Sequence, residues 1–286
     1  MTILIIGANG QLGRELQALS AEFPNLKLVP IDRSTLDVSD AAAIAPFCNS
    51  MDFDVCINCA AYTAVDKAEQ EKELAFAINA EAPAQLAAAC LAKGAQLIHY
   101  SSDYVYHNQE NRPLLETDAT TPQGIYAQSK LEGDLRVLAT HPSALVFRTS
   151  WVYSSFGHNF VKTMLRYGAE RGALRVVNDQ IGSPTYARDI ARMTLELIQS
   201  GKATQHSGLF NYSNEGVCSW YDFAQAIFEL SGVKCKVGAI PSSEYPTPAA
   251  RPHYSVLDKS KFKAAFGAEV PYWRDSLKGC LELLGY

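Results

Sequence analysis

The run Thr2–Ile6 leads straight into Gly7-Ala8-Asn9-Gly10-Gln11-Leu12-Gly13, and a helical pattern over Leu12–Leu19 starts before that run ends. In such a junction the first glycine admits a tight turn and the second lets the backbone come close to a pyrophosphate. The third relieves crowding where the helix crosses the strand. Unpaired N–H groups at the helix start favour an anion there. Glycines also serve ordinary turns, so the placement between strand and helix carries the argument, not the spacing alone.

The pattern repeats. Leu26–Ile31, Val55–Cys59, Gln96–Tyr100 and Ala144–Arg148 read as strands, with helical patterns over Ala41–Phe47, Glu71–Leu91 and 126–139 between them. Strands alternating with helices predict an α/β chain with a Rossmann-type, doubly wound parallel sheet and helices on both faces. Beyond residue 150 the rhythm loosens. Helices are expected over Asn159–Glu170, Arg188–Leu197, Lys259–Phe266 and Trp273–Leu284, and over Ser219–Leu230 with Ser219 as cap. Strands are expected at Leu174–Val177 and Gly208–Tyr212. Pro241–Pro252 holds four prolines and reads as a surface connection or binding loop. The expected division is 1–150 for the main dinucleotide-binding portion and 151–286 for a smaller substrate-binding portion. Some of the later segments would return to the first.

A chain of 286 residues with 48% hydrophobic and 19% charged residues is an ordinary globular one. Its net charge of -5 argues against tracking a nucleic-acid backbone, yet leaves room for a local basic pocket. Gly7 and Asn9 interrupt the first apolar run and no basic segment precedes it, so a buried strand is expected rather than a signal peptide. The apolar stretches are expected to fall short of a membrane span. Cys56 and Cys59 have metal-like spacing but lie in an apolar run without a second pair. All seven cysteines therefore read as core residues of a reducing, cytoplasmic compartment.

Gly7, Asn9, Gly10, Gln11, Leu12 and Gly13 are thus candidate cofactor contacts. The second strand ends in Ile31-Asp32-Arg33. Asp32 could accept from an adenosine ribose, which favours NAD, whereas Arg33 could pair with the extra phosphate of NADP. Asp37 and Val38 could add a polar and an apolar contact at the adenine. NADH and NADPH both stay open.

Tyr126 and Lys130 stand four apart at the start of a helical pattern and can share a face. A phenol titrates near pH 10 on its own, so an adjacent ammonium is expected to lower it. Neutral Tyr126 could then protonate a carbonyl oxygen during hydride transfer, with Lys130 anchoring a ribose and tuning the phenol. Ser102, after the fourth main strand, could hydrogen-bond the same oxygen, and Ser101 competes with it for that role. Taken singly, these are also an amphipathic packing residue, a solvated lysine and a cap.

Longer stretches narrow the reading. Asn58-Cys59-Ala60-Ala61-Tyr62-Thr63-Ala64-Val65-Asp66-Lys67-Ala68-Glu69, Ser101-Ser102-Asp103-Tyr104-Val105-Tyr106 and Tyr126-Ala127-Gln128-Ser129-Lys130 are the most specific. Arg148-Thr149-Ser150-Trp151-Val152-Tyr153 and Arg251-Pro252-His253-Tyr254-Ser255 extend them. With these, nearly the whole chain resembles the dTDP-4-dehydrorhamnose reductase family of the extended short-chain dehydrogenases/reductases. The resemblance implies reduction of dTDP-4-dehydro-6-deoxy-L-mannose to dTDP-L-rhamnose with NADH or NADPH. It implies catalytic roles for Ser102, Tyr126 and Lys130, with Ser102 standing where the family commonly has threonine. His107-Asn108 replaces the usual Asp-Gly, which bears on loop geometry.

The resemblance also places Ala60, Ala61 and Tyr62 partly at the cofactor. Thr63, Asp66, Ser102, Asp103, Tyr104 and Trp151 become candidate sugar contacts. Asn159, Thr185 and Arg251 are candidate nucleotide-sugar ligands, Arg251 because a guanidinium can fork onto diphosphate oxygens. Loop packing, an Asx turn and a loop salt bridge are the plainer roles for Asp103, Tyr104 and Arg251. Arg188 and Asp189 read as a solvated helix face. Glu15 invites comparison with relatives that bind magnesium between subunits, but reads as ordinary surface. No metal ligand is assigned, and magnesium dependence is left open. The expected partner is a dTDP-linked 4-keto-6-deoxy sugar, with a homodimer as candidate assembly and neither nucleic acid nor membrane. Reduction of another nucleotide-linked 4-keto sugar, or a non-catalytic cofactor-binding regulatory subunit, are the competing functions. Asp103-Tyr104 after Ser102, in place of an Asp-Glu pair, argues against a sugar dehydratase.

Overall fold

In the computed structural model, which describes residues 1–107 and 110–286, six parallel strands form the central sheet. They are β1 (Thr2–Ile6), β2 (Lys27–Ile31), β3 (Val55–Asn58), β4 (Gln96–Ser102), β5 (Leu145–Thr149) and the later strand Gly208–Asn211. Their spatial order is β2, β1, β3, β4, β5, Gly208–Asn211. The inner strands are buried on both faces, which is why they read as unbroken apolar runs rather than alternating ones. Pro30, which has no N–H to give, lies in β2 at the sheet edge, where its loss is tolerated.

The chain winds from β1 to β2 on one side and then returns to β3 on the other. A crevice therefore opens between the carboxyl ends of β1 and β3, the place where open α/β sheets bind ligands. The first helix, α1 (Gln11–Ala18), starts there with Gly10 as its N-cap. Two apolar layers cover the sheet. One includes Ile3, Ile5, Leu16, Phe147, Ile190 and Phe262, the other Leu4, Ile6, Ile44, Leu86 and Val146.

The Ala-rich helix expected over Glu71–Leu91 exists as Lys72–Phe76, a π turn at Ala77–Glu81, and Ala82–Lys93. Pro83 has no N–H to give the Asn79 carbonyl four residues before it, and this is the local reason for the wide turn. The helix spans 22 residues, with an 18-residue window of mean hydropathy 1.3, and is thus long and apolar enough to cross a membrane, contrary to expectation. Half of that window is buried in the protein, as in a core helix.

The second lobe gathers separated segments. Helices Phe160–Arg171, Trp220–Ser231 and Trp273–Leu283 enclose a cluster including Tyr153, Val161, Leu165, Phe223, Ile227 and Leu277. Ser219 caps the second of these through a reciprocal pair with Asp222. The parallel pair Ala173–Val177 and Lys236–Ile240 lies on its side, and the second strand of that pair was not anticipated. Lys236-Val237-Gly238-Ala239-Ile240 is half-exposed and carries a glycine, so no apolar signal marks it. Gly208–Asn211 joins the main sheet beside β5, and helix Ala187–Gln199 packs on α1. Ser242–Glu244 is a short helical turn within the Pro241–Pro252 connection.

Candidate active site

Gly7 sits at φ 79°, and a side chain there would meet the backbone N of Ala60 at 2.6 Å. Only glycine fits between the first turn and the loop after β3. At Gly13 a side chain would lie 2.7 Å from the Gly7 carbonyl, so the third glycine is what lets α1 pack on its strand. The cleft so formed, about 270 Å³, is lined by Gly7, Asn9, Gly10, Arg33, Asp37 and Val38 on one wall, and by Cys59, Ala60, Ala61 and Ile78 on the other. Asp32 Oδ1 accepts from the backbone and hydroxyl groups of Ser34 and Thr35, while Oδ2 accepts from Asn9 Nδ2 at 3.3 Å. These bonds hold its carboxyl below the usual range. Arg33 pairs with Asp37 at 3.0 Å, with both groups open to solvent at the cleft mouth. The glycine cradle and the exposed N-terminus of α1 fit a dinucleotide: Gly10, Gln11 and Leu12 would hold its pyrophosphate, and Asp32, Arg33 and Val38 its adenosine.

Beside this cleft, β4 delivers Ser102 and helix Ile125–Thr140 delivers Tyr126 and Lys130. Ser102 Oγ donates to Asp103 Oδ1 at 3.1 Å and accepts from the Tyr104 N–H at 3.2 Å. The Tyr104 ring meets that of Tyr126 edge-on, with centroids 5.4 Å apart. Lys130 is buried and donates to the Tyr100 carbonyl at 2.6 Å. Burial pushes its ammonium down to about 8, with Asp134 one helical turn later pulling it back up.

The expected depression of the Tyr126 phenol is not present in the protein's own groups. Burial pushes it up to about 12, the Ser102 hydroxyl works against that rise, and Asp103 and Asp134 add to it. The lysine is turned to the Tyr100 carbonyl instead. Asp103 is 2% exposed, with Oδ2 unpartnered, and burial pushes it up to about 6.

Asn79, on the π turn, organises this group and was missed from the sequence. Its Oδ1 accepts from the Tyr62 N–H at 2.9 Å, and its Nδ2 donates to the Tyr62 carbonyl and to Ser129 Oγ. Ser129 in turn donates to the Tyr126 carbonyl. A lone asparagine amid the alanines of Ala75–Ala89 was the available signal. Gly133 permits the close contact, because a methyl there would run into the Asn79 carbonyl. The buried Asp134–Arg148 ion pair, at 3.0 Å below Lys130, was also not foreseen.

The candidate contacts to cofactor and sugar nucleotide divide. Thr63 is exposed on the loop after β3, and Tyr62 is turned away to Glu71 through a 2.6 Å bond from its hydroxyl. Asp66 and Arg251 bind each other through two bonds of 2.9 and 2.8 Å, so both ends of the pair take the loop-bridge role. Arg251 Nη1 also donates to the Ala249 carbonyl. Trp151 stacks on Trp220. Asn159 caps helix Phe160–Arg171, and its Nδ2 donates to Gln11 Oε1 at 2.9 Å and to the Ser154 carbonyl at 2.7 Å. Its amide is thus committed to joining the lobes. Thr185 is fully buried and donates to the Ser183 carbonyl, which leaves no surface for a ligand.

Three readings are corrected. Glu15 is not surface: it is fully buried, accepts from Ser154 Oγ at 2.6 Å and pairs with Arg188 at 3.4 Å, and burial pushes its carboxyl up. Arg188 and Asp189 are half-buried rather than solvated, with Asp189 accepting from Asn214 and Ser276. Five cysteines are buried, but Cys59 faces the cleft and Cys235 is half-exposed. His107 lies at φ 24°, and Asn108 falls outside the described residues. Among the described residues no three metal-ligating side chains converge.

Comparison with known proteins agrees with this geometry. The chain matches the RmlD substrate binding domain family over residues 1–285. The dTDP-4-dehydrorhamnose reductase of Escherichia coli (strain K12) is 40% identical, covering 99% of this chain and 98% of that protein. The crystal structure of a dTDP-4-dehydrorhamnose reductase from Clostridium acetobutylicum has a TM-score of 0.94 at 42% identity, with full coverage of both chains. That of the Bacillus anthracis reductase, in complex with NADP, has a TM-score of 0.93 at 37% identity, with 99% of each chain covered. Since the likeness runs from the glycine turn to the last helix, this chain belongs to the dTDP-4-dehydrorhamnose reductase family.

Proposed function

We propose that this protein reduces the C4 carbonyl of dTDP-4-dehydro-6-deoxy-L-mannose to give dTDP-L-rhamnose, with NADPH or NADH as reductant. The observation that carries the reading is the meeting of Ser102, Tyr104 and Tyr126 at the end of β4, beside a glycine-lined crevice. The full-length likeness to named reductases supports the substrate.

A bound reduced nicotinamide supplies hydride to C4. Tyr126 does the protein's part: its phenol, pushed up to about 12, keeps its proton across the neutral range and gives it to O4 as the alkoxide forms. Ser102 Oγ turns its one proton from Asp103 Oδ1 to the same oxygen when the sugar binds. Lys130 anchors the ribose with the N–H groups not given to Tyr100. The resulting phenolate regains its proton from solvent. Arg33, free at the cleft mouth apart from Asp37, gives a place for the extra phosphate of NADPH.

Asp103, Tyr104 and Trp151 line the sugar side in this reading, with Thr63 on the nicotinamide side. Arg251 faces the diphosphate with the guanidinium edge that Asp66 leaves free. Residues 1–150 then hold the cofactor, and 151–286 hold most of the sugar nucleotide, apart from segments such as Gly208–Asn211. We place the protein in the bacterial cytoplasm, away from membrane and nucleic acid, and read its buried, unbridged cysteines as suited to a reducing compartment.

Incubation with dTDP-4-dehydrorhamnose and each reduced nicotinamide, followed by loss of nicotinamide absorbance and product chromatography, tests the proposal. The expected result is stoichiometric oxidation with dTDP-L-rhamnose formed. Tight cofactor binding without turnover would favour the regulatory reading instead, and turnover only with a different nucleotide-linked 4-keto sugar would move the substrate.

A further inference from the structure

Trp151 adopts φ 47°, a left-handed backbone that disfavours a residue with a Cβ. Such strain persists where the surroundings over-determine it. Here the surroundings are two jaws. On one side the Trp220 ring lies parallel to the Trp151 indole, with centroids 3.6 Å apart and planes 9° apart. On the other, Gly182 comes so near that any side chain would sit 2.5 Å from the indole carbons. The jaws are one unit, because Cys218 and Ser219, just before Trp220, pair antiparallel with Gly182 and Ile181. Trp220 is the first residue of a helix fixed by the Ser219–Asp222 capping box, and Phe160 backs it with centroids 4.7 Å apart.

The clamp stands next to the chemistry. Ser102 pairs with Thr149 across β4 and β5, and Trp151 lies two residues beyond Thr149. With both faces covered, the indole has only its edge to offer. That edge carries an Nε1–H with no protein partner among the described residues, although the ring is only half-buried.

We propose that Trp220, with Gly182 opposite, is a positioning residue for Trp151. Together they fix the indole plane, so that only the N–H edge meets the sugar and a single sugar orientation is admitted beside Tyr126. This rests on the sugar-nucleotide reading above. A tryptophan suits the role because its face matches the whole indole, where a phenylalanine covers part of it and a leucine presents no plane.

The test is calorimetric binding of dTDP-L-rhamnose and of dTDP to the full chain, which needs no turnover. Trp220→Leu should weaken dTDP-L-rhamnose about five- to tenfold, the worth of one aromatic pair, and leave dTDP and NADP+ within about twofold. Trp220→Phe should recover most of the loss. Because Trp220 acts through Trp151, the Trp151→Phe/Trp220→Leu double variant should bind no worse than Trp151→Phe alone. The far-ultraviolet circular dichroism couplet of the stacked indoles should vanish in each single variant while the helical signal stays. If Trp220→Leu does not fold, Gly182→Ala, which pushes the indole from the other jaw, should give the same selective loss. Equal weakening of dTDP and dTDP-L-rhamnose, additive losses in the double variant, or unchanged sugar binding would each overturn the proposal. Wild-type protein that binds dTDP-L-rhamnose yet never turns over would sink the reductase reading and leave the clamp standing.

Discussion

The ends of β4 and helix Ile125–Thr140 handle charge differently from the second lobe. At the strand ends ionisable groups are buried against their own preference. Asp103 is pushed up to about 6 with one oxygen unpartnered, Lys130 is pushed down to about 8, and His99 beside them is held neutral by burial. In the second lobe and its bridges charges are matched: Asp66 with Arg251, and Asp179 with the Ser242 N–H and hydroxyl. The first region holds groups that stability alone would remove, as proton transfer requires. The second is built for shape: burial pushes up the carboxyls of Glu15 and Asp189 there too, but each keeps its hydrogen-bonding partners, and the backbone strain lies at Trp151.

If that contrast is sound, neutralising a strand-end charge should stabilise the protein. The folded Asp103 titrates higher than its ordinary 3.8. Below that value both states are protonated and nothing is lost. Between there and about 6 the unfolded chain gives up its proton first, so stability falls, and above about 6 the whole cost is present. Asp103→Asn should therefore raise stability above pH 6 by about 3 kcal/mol, the shift converted at 1.36 kcal/mol per unit, and give no gain below pH 3.8. Denaturant melts at two pH values check this, and a loss of stability at neutral pH would break the contrast.

Gly133→Ala probes packing in the same region without touching charge. The added methyl meets the Asn79 carbonyl backbone, which cannot swing away, so the expected cost is about 1–3 kcal/mol. The shift should also disturb the Asn79–Ser129 link and slow turnover. A neutral result would mean that the π turn does not set the helix position.

Asp66→Asn belongs to the other side of the comparison. The Asp66–Arg251 pair is part-exposed, so solvent screening limits its worth to under about 1 kcal/mol. Melting should hardly move, while proteolysis of the Pro241–Pro252 connection should quicken. A loss as large as that of Gly133→Ala would show that the bridge is a structural strut.

The same contrast explains what could be read from the residues alone. Sheet, glycine turn and proton-transfer pair lie in short contiguous stretches, where one residue type at one spacing has one physical use. Gly7 is legible because its conformation and its closeness to Ala60 leave no alternative. The second lobe is stitched from segments tens of residues apart, and pairings such as Trp151 with Trp220 or Glu15 with Arg188 leave no local trace. Asn159 is hidden for the same reason, since its amide reaches back to Gln11 in the first helix. Thr185 differs: its hydroxyl goes to Ser183 only two residues before it, and what the residues alone do not show is its complete burial. At Lys130 helical spacing puts the ammonium near the phenol, but does not show that the Tyr100 carbonyl, on β4, takes one of its N–H groups.

Everything converges on one proton. With saturating NADPH and dTDP-4-dehydrorhamnose, the single-turnover rate of Tyr126→Phe should fall about 10²–10⁴-fold, while NADP+ and dTDP-L-rhamnose bind within a fewfold of wild type. A variant that reduces the sugar at a rate close to wild type would contradict the account, because the proton would then come from elsewhere.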